Sequence, residues 1–268
     1  MKSVLSMLVL NLCWCSLTLA EGNSNSKTAK TTSSNFIERV LTNENTSREQ
    51  VDYYSHYINE SIAEFNKKKT KFKSESAFLE HVFYKVHKKH LKKYEAYRSF
   101  NNLLEKGIYG CLTGTALYAI ILDKLGFDYE IVETNYHIYL IASTAQGDVL
   151  MESTDAFTGF VNNPDEIAQR IKTSLVAQIP RDNEYQYTLN IFNQISLTEL
   201  VGLLHYNQAV NAYNAQNIVE SLYQLNEAAK YYPSPRIVEL LGVINQTLNN
   251  SVNSYLKEYQ VLNALVIN

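Results

Sequence analysis

The residues most able to do chemistry lie between positions 111 and 155. Cys111 follows Gly110 at the predicted start of a helix, where exposed N–H groups and the helix dipole stabilise a thiolate and a developing oxyanion. His137 opens a predicted strand and could take the thiol proton. A carboxylate must orient that imidazole, and both Glu152 and Asp155 are candidates for this role. Together these residues predict a thiol nucleophile that is activated by a histidine and an acid.

Each of these residues also has a structural interpretation when it is taken alone. A single cysteine is commonly a small buried hydrophobe, and a strand histidine is commonly a hydrogen-bonded structural residue. Asp155 could cap a turn, and Glu152 could be an exposed surface charge. The intact order of cysteine, histidine and acid along the chain favours chemistry over these alternatives.

The elements that must position these residues are predicted from the same segment. Residues 111–125 form an apolar stretch that predicts a central buried helix, and Gly126 stands where a C-terminal stop is expected. Short strands are predicted at 127–133, 137–142 and 149–153. Antiparallel pairing of the last two would bring both candidate carboxylates back beside His137. A buried helix followed by an antiparallel meander predicts an α+β fold.

Helices are predicted on both sides of this segment. N-terminal helices begin near Ser47 and Ser76, and a third spans 94–104. C-terminal helices are predicted from the capping patterns Ser196–Glu199 and Asn217–Glu220 and from the stretch that follows Pro235. The spacing of small residues across the first two of these resembles one tetratricopeptide repeat, and an ordinary helical hairpin is the alternative.

The first part of the chain differs in character from the rest. Residues 1–20 combine a basic start, an apolar stretch and a Thr18–Ala20 small-residue site, which predicts a secretory signal peptide, with an uncleaved membrane anchor as the alternative. Residues 21–46 are predicted to be a disordered leader, 47–165 the α+β domain, and 166–268 a helical tail. The mature protein is then secreted or periplasmic, without a membrane span, and keeps Cys111 as its one thiol. A lone thiol in an oxidising compartment is a liability unless it is buried or used.

Charge and motifs argue against several other classes of function. Residues 67–106 contain 12 basic and 4 acidic side chains, which predicts solvated helix faces or, alternatively, a surface that attracts an acidic partner. His87 and His90 have the spacing of two metal ligands on a helix, but the lysines around them would repel a cation. Export argues against nucleic acid as a partner. A phosphate-binding glycine loop is missing from the sequence, and we predict neither a metal nor a cofactor.

The pattern as a whole resembles the transglutaminase-like superfamily over roughly residues 75–162. The resemblance rests on Gly110–Cys111, on the helix that ends at Gly126, on His137 at the start of a strand, and on 152–154 (Glu-Ser-Thr), where Glu replaces the usual Asp. The segment 155–157 (Asp-Ala-Phe) instead resembles the Asp-Pro-Phe of a bacterial branch that carries tetratricopeptide tails. The resemblance implies a papain-like core and a catalytic triad, and leaves the third member open between Glu152 and Asp155.

We therefore expect an exported cysteine-dependent enzyme of acyl transfer that acts on protein or peptide amides. Water as the acceptor would make it a peptidase or amidase, and a lysine amine would make it a transglutaminase. The alternative is a catalytically silent scaffold of the same fold that binds a protein partner through its helical tail.

Overall fold

The computed structural model describes residues 33–43, 46–135, 137–176 and 191–266, and the predicted signal peptide lies outside these ranges. The helices are α1 (Ser33–Asn43), α2 (Arg48–Lys69), α3 (Glu75–His90), α4 (Phe100–Lys106), α5 (Cys111–Leu125), α6 (Pro164–Val176), α7 (Leu197–Asn214), α8 (Ile218–Tyr231) and α9 (Pro235–Val266). The strands are β1 (Lys93–Tyr94), β2 (Ile108–Tyr109), β3 (Tyr129–Thr134), β4 (Ile138–Thr144), β5 (Gly147–Met151), β6 (Phe160–Val161) and β7 (Phe192–Ile195). The fold is mixed α+β, as predicted.

A five-stranded antiparallel sheet forms one layer of the fold. Its strand order is β6-β5-β4-β3-β7, so that the three predicted strands make a central meander. Val132 pairs with Tyr139 across β3 and β4, and Ile141 pairs with Leu150 across β4 and β5. This register places the start of β4 beside the end of β5, because the two strands run in opposite directions.

Helix α5 is the centre of the hydrophobic core. The structure buries 12 of its 15 residues, since apolar side chains surround the helix instead of forming one stripe. Gly126 ends the helix in a left-handed conformation with φ of 78°, which a glycine adopts without strain. The predicted buried helix and its stop are confirmed. Because α5 is held on all sides, its first residue has a fixed position against the sheet.

The N-terminal helices cover this core and correct one prediction. Residues 33–43 were predicted to belong to a disordered leader, but they form α1 and bury Phe36, Ile37, Val40 and Leu41. These four residues recur at the spacing of one helix face, and burying them offsets the cost of ordering the segment. Helix α2 begins with the predicted capping box, in which the Ser47 hydroxyl accepts from the Gln50 amide.

The helix predicted at 94–104 is shorter in the structure. Strand β1 ends at Tyr94, and α4 begins after Ser99, whose side chain caps it by accepting from the Asn102 amide. Between them Tyr97 has a φ of 60°, which no helix residue adopts and which L-residues rarely occupy. The intervening loop therefore interrupts the helical spacing that the sequence suggested.

The C-terminal helices contact the core through α7. Strand β7 lies beyond the predicted boundary at 165/166 and pairs with β3, and the buried residues Leu200 and Leu204 of α7 join the main core cluster. Residues from the end of α7, α8 and α9 form a second hydrophobic cluster, and the chain from residue 31 onward groups as one compact unit. Helices α7 and α8 form a hairpin, and the capping box at Ser196–Glu199 is confirmed. Among the described helices, none combines the length and the apolar character that crossing a membrane requires.

Candidate active site

Cys111 is the first residue of α5, and its half-buried side chain is the thiol of the site. The helix begins there because Gly110 takes an extended conformation and donates its N–H to the Thr113 hydroxyl at 2.9 Å. The first N–H groups of a helix have no partner within it, and they point towards the space in front of the helix. The thiol therefore lies beside donors that can stabilise negative charge on sulfur or on a substrate oxygen.

Two hydrogen bonds fix the start of α5 against the sheet. The Ser153 hydroxyl donates to the Cys111 carbonyl at 3.2 Å, and the Thr115 hydroxyl donates to the Ile138 carbonyl at 3.3 Å. Gly114 permits this closeness, since a Cβ there would lie 2.8 Å from the Ser153 side chain. The helix start is thus tied to both strands that carry the other members of the site.

His137 stands at the entry to β4, where the β3–β4 connection is closed by Thr134. The Thr134 amide donates to the His137 carbonyl at 2.8 Å, and the His137 amide donates to the Thr134 hydroxyl at 3.1 Å. Nε2 of the imidazole is hydrogen-bonded to Oε2 of Glu152. The Cys111 side chain lines the same cavity as the imidazole and interacts with it. Because Glu152 uses Nε2, Nδ1 is the ring nitrogen that remains for the thiol.

The charge state of His137 follows from these contacts. Burial alone would lower the pKa of His137, but hydrogen bonds to Cys111 and Glu152, with the negative charges of both groups, raise that pKa to about 10. The imidazole is consequently a cation at neutral pH. An imidazolium can give its proton to a leaving group.

Glu152 is the carboxylate that the structure brings to the imidazole. One of its oxygens, Oε2, contacts His137, and the other accepts from the amide and the hydroxyl of Thr154 at 3.0 and 2.8 Å. The Glu152 amide donates to the Gly159 carbonyl at 2.7 Å, which closes the loop after β5. Both carboxylate oxygens are held, so the carboxylate can fix the orientation of the ring.

The candidate Asp155 has a different role, which corrects its place in the predicted site. Its carboxylate accepts from the amides of Phe157 and Thr158 at 3.0 and 2.8 Å, and from the Thr158 hydroxyl. Burial favours a higher pKa for Asp155, but these hydrogen bonds and the nearby Arg170 hold that pKa below its usual value. Asp155 caps the turn that follows Glu152, and it shapes the site through that turn.

Residues that the sequence did not single out clamp the loop that carries His137. Arg236, in the first turn of α9, donates Nε to Glu133 Oε1 at 2.8 Å, Nη1 to the Asn135 carbonyl at 2.7 Å, and Nη2 to the Thr134 carbonyl. The Tyr232 hydroxyl donates to the other oxygen of Glu133 at 2.7 Å. Arg236 and Glu133 are 103 residues apart, and no local pattern in the sequence connects them.

The imidazole lies between two cavities. Cys111 and His137 line the first cavity, which has a volume of about 140 Å³. Its other lining residues are Tyr97, Leu112, Glu133, Asn135, Ile138, Leu203, Tyr206, Asn207 and Arg236. The second, of about 660 Å³, lies on the side of Glu152 and is lined by residues of β4, β5 and α6. His137 therefore borders both cavities, whereas Cys111 borders the first one.

The histidines considered as metal ligands lie elsewhere. His87 is buried against the rings of Phe83 and Tyr118, and His90 packs against the ring of Tyr57. In the parts of the chain that the structure describes, no group of three His, Cys, Asp or Glu side chains is arranged to hold a metal ion. The aromatic contacts assign both histidines to the core.

Comparison with known proteins found no relative of this chain. No protein-family model matches the chain, and neither the curated proteins nor the solved structures provide a match. The chemistry of the chain is therefore argued from the arrangement of Cys111, His137 and Glu152.

Proposed function

We propose that this chain is an exported cysteine-dependent enzyme of acyl transfer that acts on protein or peptide amides, with a transglutaminase-like, papain-type core. One observation carries the proposal: the His137 imidazole is hydrogen-bonded to the Glu152 carboxylate and lines one cavity with the Cys111 thiol, at the N-terminus of a buried helix. A nucleophile, a base and an orienting acid in contact are the arrangement that covalent acyl transfer requires.

The proposed reaction has two halves. Cys111 thiolate attacks the amide carbonyl, and the oxyanion that forms accepts hydrogen bonds from the N–H groups at the start of α5. The C–N bond then breaks as the His137 imidazolium gives its proton to the leaving amine, which leaves a thioester on Cys111. Water or a second amine, deprotonated by neutral His137, attacks the thioester and releases the thiol. Glu152 keeps the ring oriented and stabilises its cationic form throughout.

The α7–α8 hairpin is part of the same proposal, as a tetratricopeptide-like unit. Small residues lie buried where the two helices meet, and the Ser221 hydroxyl donates to the Ala209 carbonyl at 2.9 Å across this contact. Such close helix pairs are the structural unit of tetratricopeptide repeats.

The first test is the reactivity of the thiol. The folded protein is treated with iodoacetamide from about pH 5 to 9, and alkylation of Cys111 is followed by intact mass. We expect substantial alkylation at about pH 6, where an ordinary cysteine with a pKa of about 8.5 is almost wholly protonated. His137→Ala should remove this reactivity, and His56→Ala is the matched control, because the His56 side chain is 74% exposed on α2.

The second test is turnover. Wild type is incubated with a peptide library and with a primary amine, and released amine, hydrolysed product and amine adduct are measured by mass spectrometry. Cys111→Ser should abolish all three. Activity that survives in Cys111→Ser would refute the mechanism, and a thiol that is inert at every pH in wild type would favour the silent scaffold instead.

A further inference from the structure

The cavity beside Cys111 is built by two parts of the chain that are distant in sequence. One wall comes from the loop before α4 and from α5 and β4, through Tyr97, Leu112 and Ile138. The opposite wall comes from α7, through Leu203, Tyr206 and Asn207. Because the thiol and the imidazole also line this cavity, a carbonyl attacked by Cys111 would place its neighbouring substituent between the two walls.

The charges along the cavity are already paired. The charged side chains along it are each paired within the protein: Arg236 with Glu133, and the His137 imidazolium with Glu152. All three nitrogen positions of the guanidinium are used, by the Glu133 carboxylate and by two backbone carbonyls. A charged group entering this cavity would lose its hydration without meeting an unpaired opposite charge.

The size of the cavity sets a second limit. An engineered apolar cavity of roughly 150 Å³ holds a benzene molecule, so a cavity of about 140 Å³ accepts a group of about six heavy atoms. The two walls are also tied to each other, since the Tyr97 carbonyl accepts from the Asn211 side chain of α7 at 2.5 Å. The backbone of Tyr97 has a φ of 60°, so this contact fixes a conformation that the residue would rarely adopt alone.

We propose that this cavity is the acyl-side subsite and that it selects a small, uncharged side chain next to the scissile carbonyl. The inference rests on the proposed function and adds to it the class of substrate. Side chains from alanine to leucine fit the volume and need no counter-charge, whereas indole is too large and carboxylates and ammonium groups meet only charges that are already paired.

The experiment uses N-acetyl chloromethyl ketones whose side chain is that of Ala, Leu, Trp, Asp or Lys. The second-order rate of labelling of Cys111 in the full chain is measured by intact mass and divided by the rate with iodoacetamide, which needs no subsite. We expect this ratio to be at least about tenfold higher for Ala and Leu than for Trp, Asp and Lys, since pockets discriminate by about that factor for each poorly fitted group.

A pair of variants locates the selectivity. Asn207→Trp places a large ring in the cavity and should lower the ratio for Leu by about tenfold. Gln208→Trp is the matched control, because Gln208 neighbours Asn207 on α7 but does not line the cavity, and its ratio should stay that of wild type. Circular dichroism of both variants verifies that they are folded.

The outcomes separate the two proposals. A wild-type thiol that iodoacetamide does not label at about pH 6 would overturn the proposed function itself. A reactive thiol with equal ratios for all five side chains would overturn the subsite alone, as would an Asn207→Trp variant that matches Gln208→Trp.

Discussion

Replacement of Arg236 by methionine tests whether the C-terminal helices hold the loop that carries His137 in place. The Glu133 side chain is 2% exposed and the Arg236 side chain 15%, so the variant leaves a carboxylate buried without its cation. Removing one partner of a buried ion pair costs about 3–5 kcal/mol, because the remaining charge keeps its desolvation penalty. Tyr232 still donates to Glu133, so we expect a loss of about 3 kcal/mol, near the lower end of this range.

The assay is urea unfolding followed by circular dichroism, with the free energy of unfolding taken from the midpoint and slope. The matched control is Lys230→Met, which breaks the pair between Lys230, whose side chain is 57% exposed, and Glu227. A surface pair of this kind contributes about 0–1 kcal/mol, so the control should unfold almost like wild type. Restoring neutrality with Glu133→Gln in the Arg236→Met background should recover part of the loss, since the unpaired charge is then gone.

The same variants report on the thiol. Arg236 holds the carbonyls of Thr134 and Asn135, just before His137, so its loss should also slow alkylation of Cys111 at about pH 6 while the protein is still folded. If Arg236→Met unfolds at the same urea concentration as Lys230→Met and its Cys111 is alkylated like that of wild type, the contacts of Arg236 contribute neither to stability nor to the reactivity of the thiol.

Three further predictions follow from single contacts. Glu152→Gln should lower the pKa of His137 from about 10, which an NMR titration of the ring would measure. Protonated His137 stabilises the fold fully below about pH 6.5, and this stabilisation is lost as pH rises to about 10. Unfolding measurements should therefore show a weaker dependence of stability on pH in the variant than in wild type. Gly114→Ala should cost about 1–3 kcal/mol in urea unfolding because its Cβ would crowd the end of β5, whereas Gly242→Ala, with open space around it in α9, should gain about 0.5–1 kcal/mol. Burial lowers the pKa of His87, so on acidification the unfolded chain binds a proton at this residue before the folded chain does. The stability of the fold should therefore decrease below about pH 6.5. His87→Phe should lessen this decrease, which thermal unfolding at about pH 5 and 7 would measure.

Local patterns predicted the centre of this fold well. The apolar stretch that became α5, the stop at Gly126 and the caps at Ser47 and Ser196 depend on neighbours within a few residues, which a sequence displays directly. The approach of Glu152 to His137 also followed, since antiparallel pairing of two adjacent strands fixes which residues meet.

Features that depend on distant partners were missed or left open. Strand β7 has three exposed residues out of four and carries no strong strand pattern, so its pairing with β3 becomes evident only when the sheet exists. The choice between Glu152 and Asp155 needed the direction of each side chain, which spacing along the chain does not give. Arg236 was missed for the same reason, since its partners lie about a hundred residues earlier.

The long separation in sequence between Arg236 and Cys111 has a consequence for biosynthesis. Ribosomes produce Cys111 and His137 long before β7 and Arg236, so the loop bearing the imidazole lacks its anchor until most of the polypeptide has emerged. The loop that carries His137 therefore gains the hydrogen bonds of Arg236 only late in synthesis. A chain cut after residue 190 should carry a less reactive Cys111, even where its central helix forms.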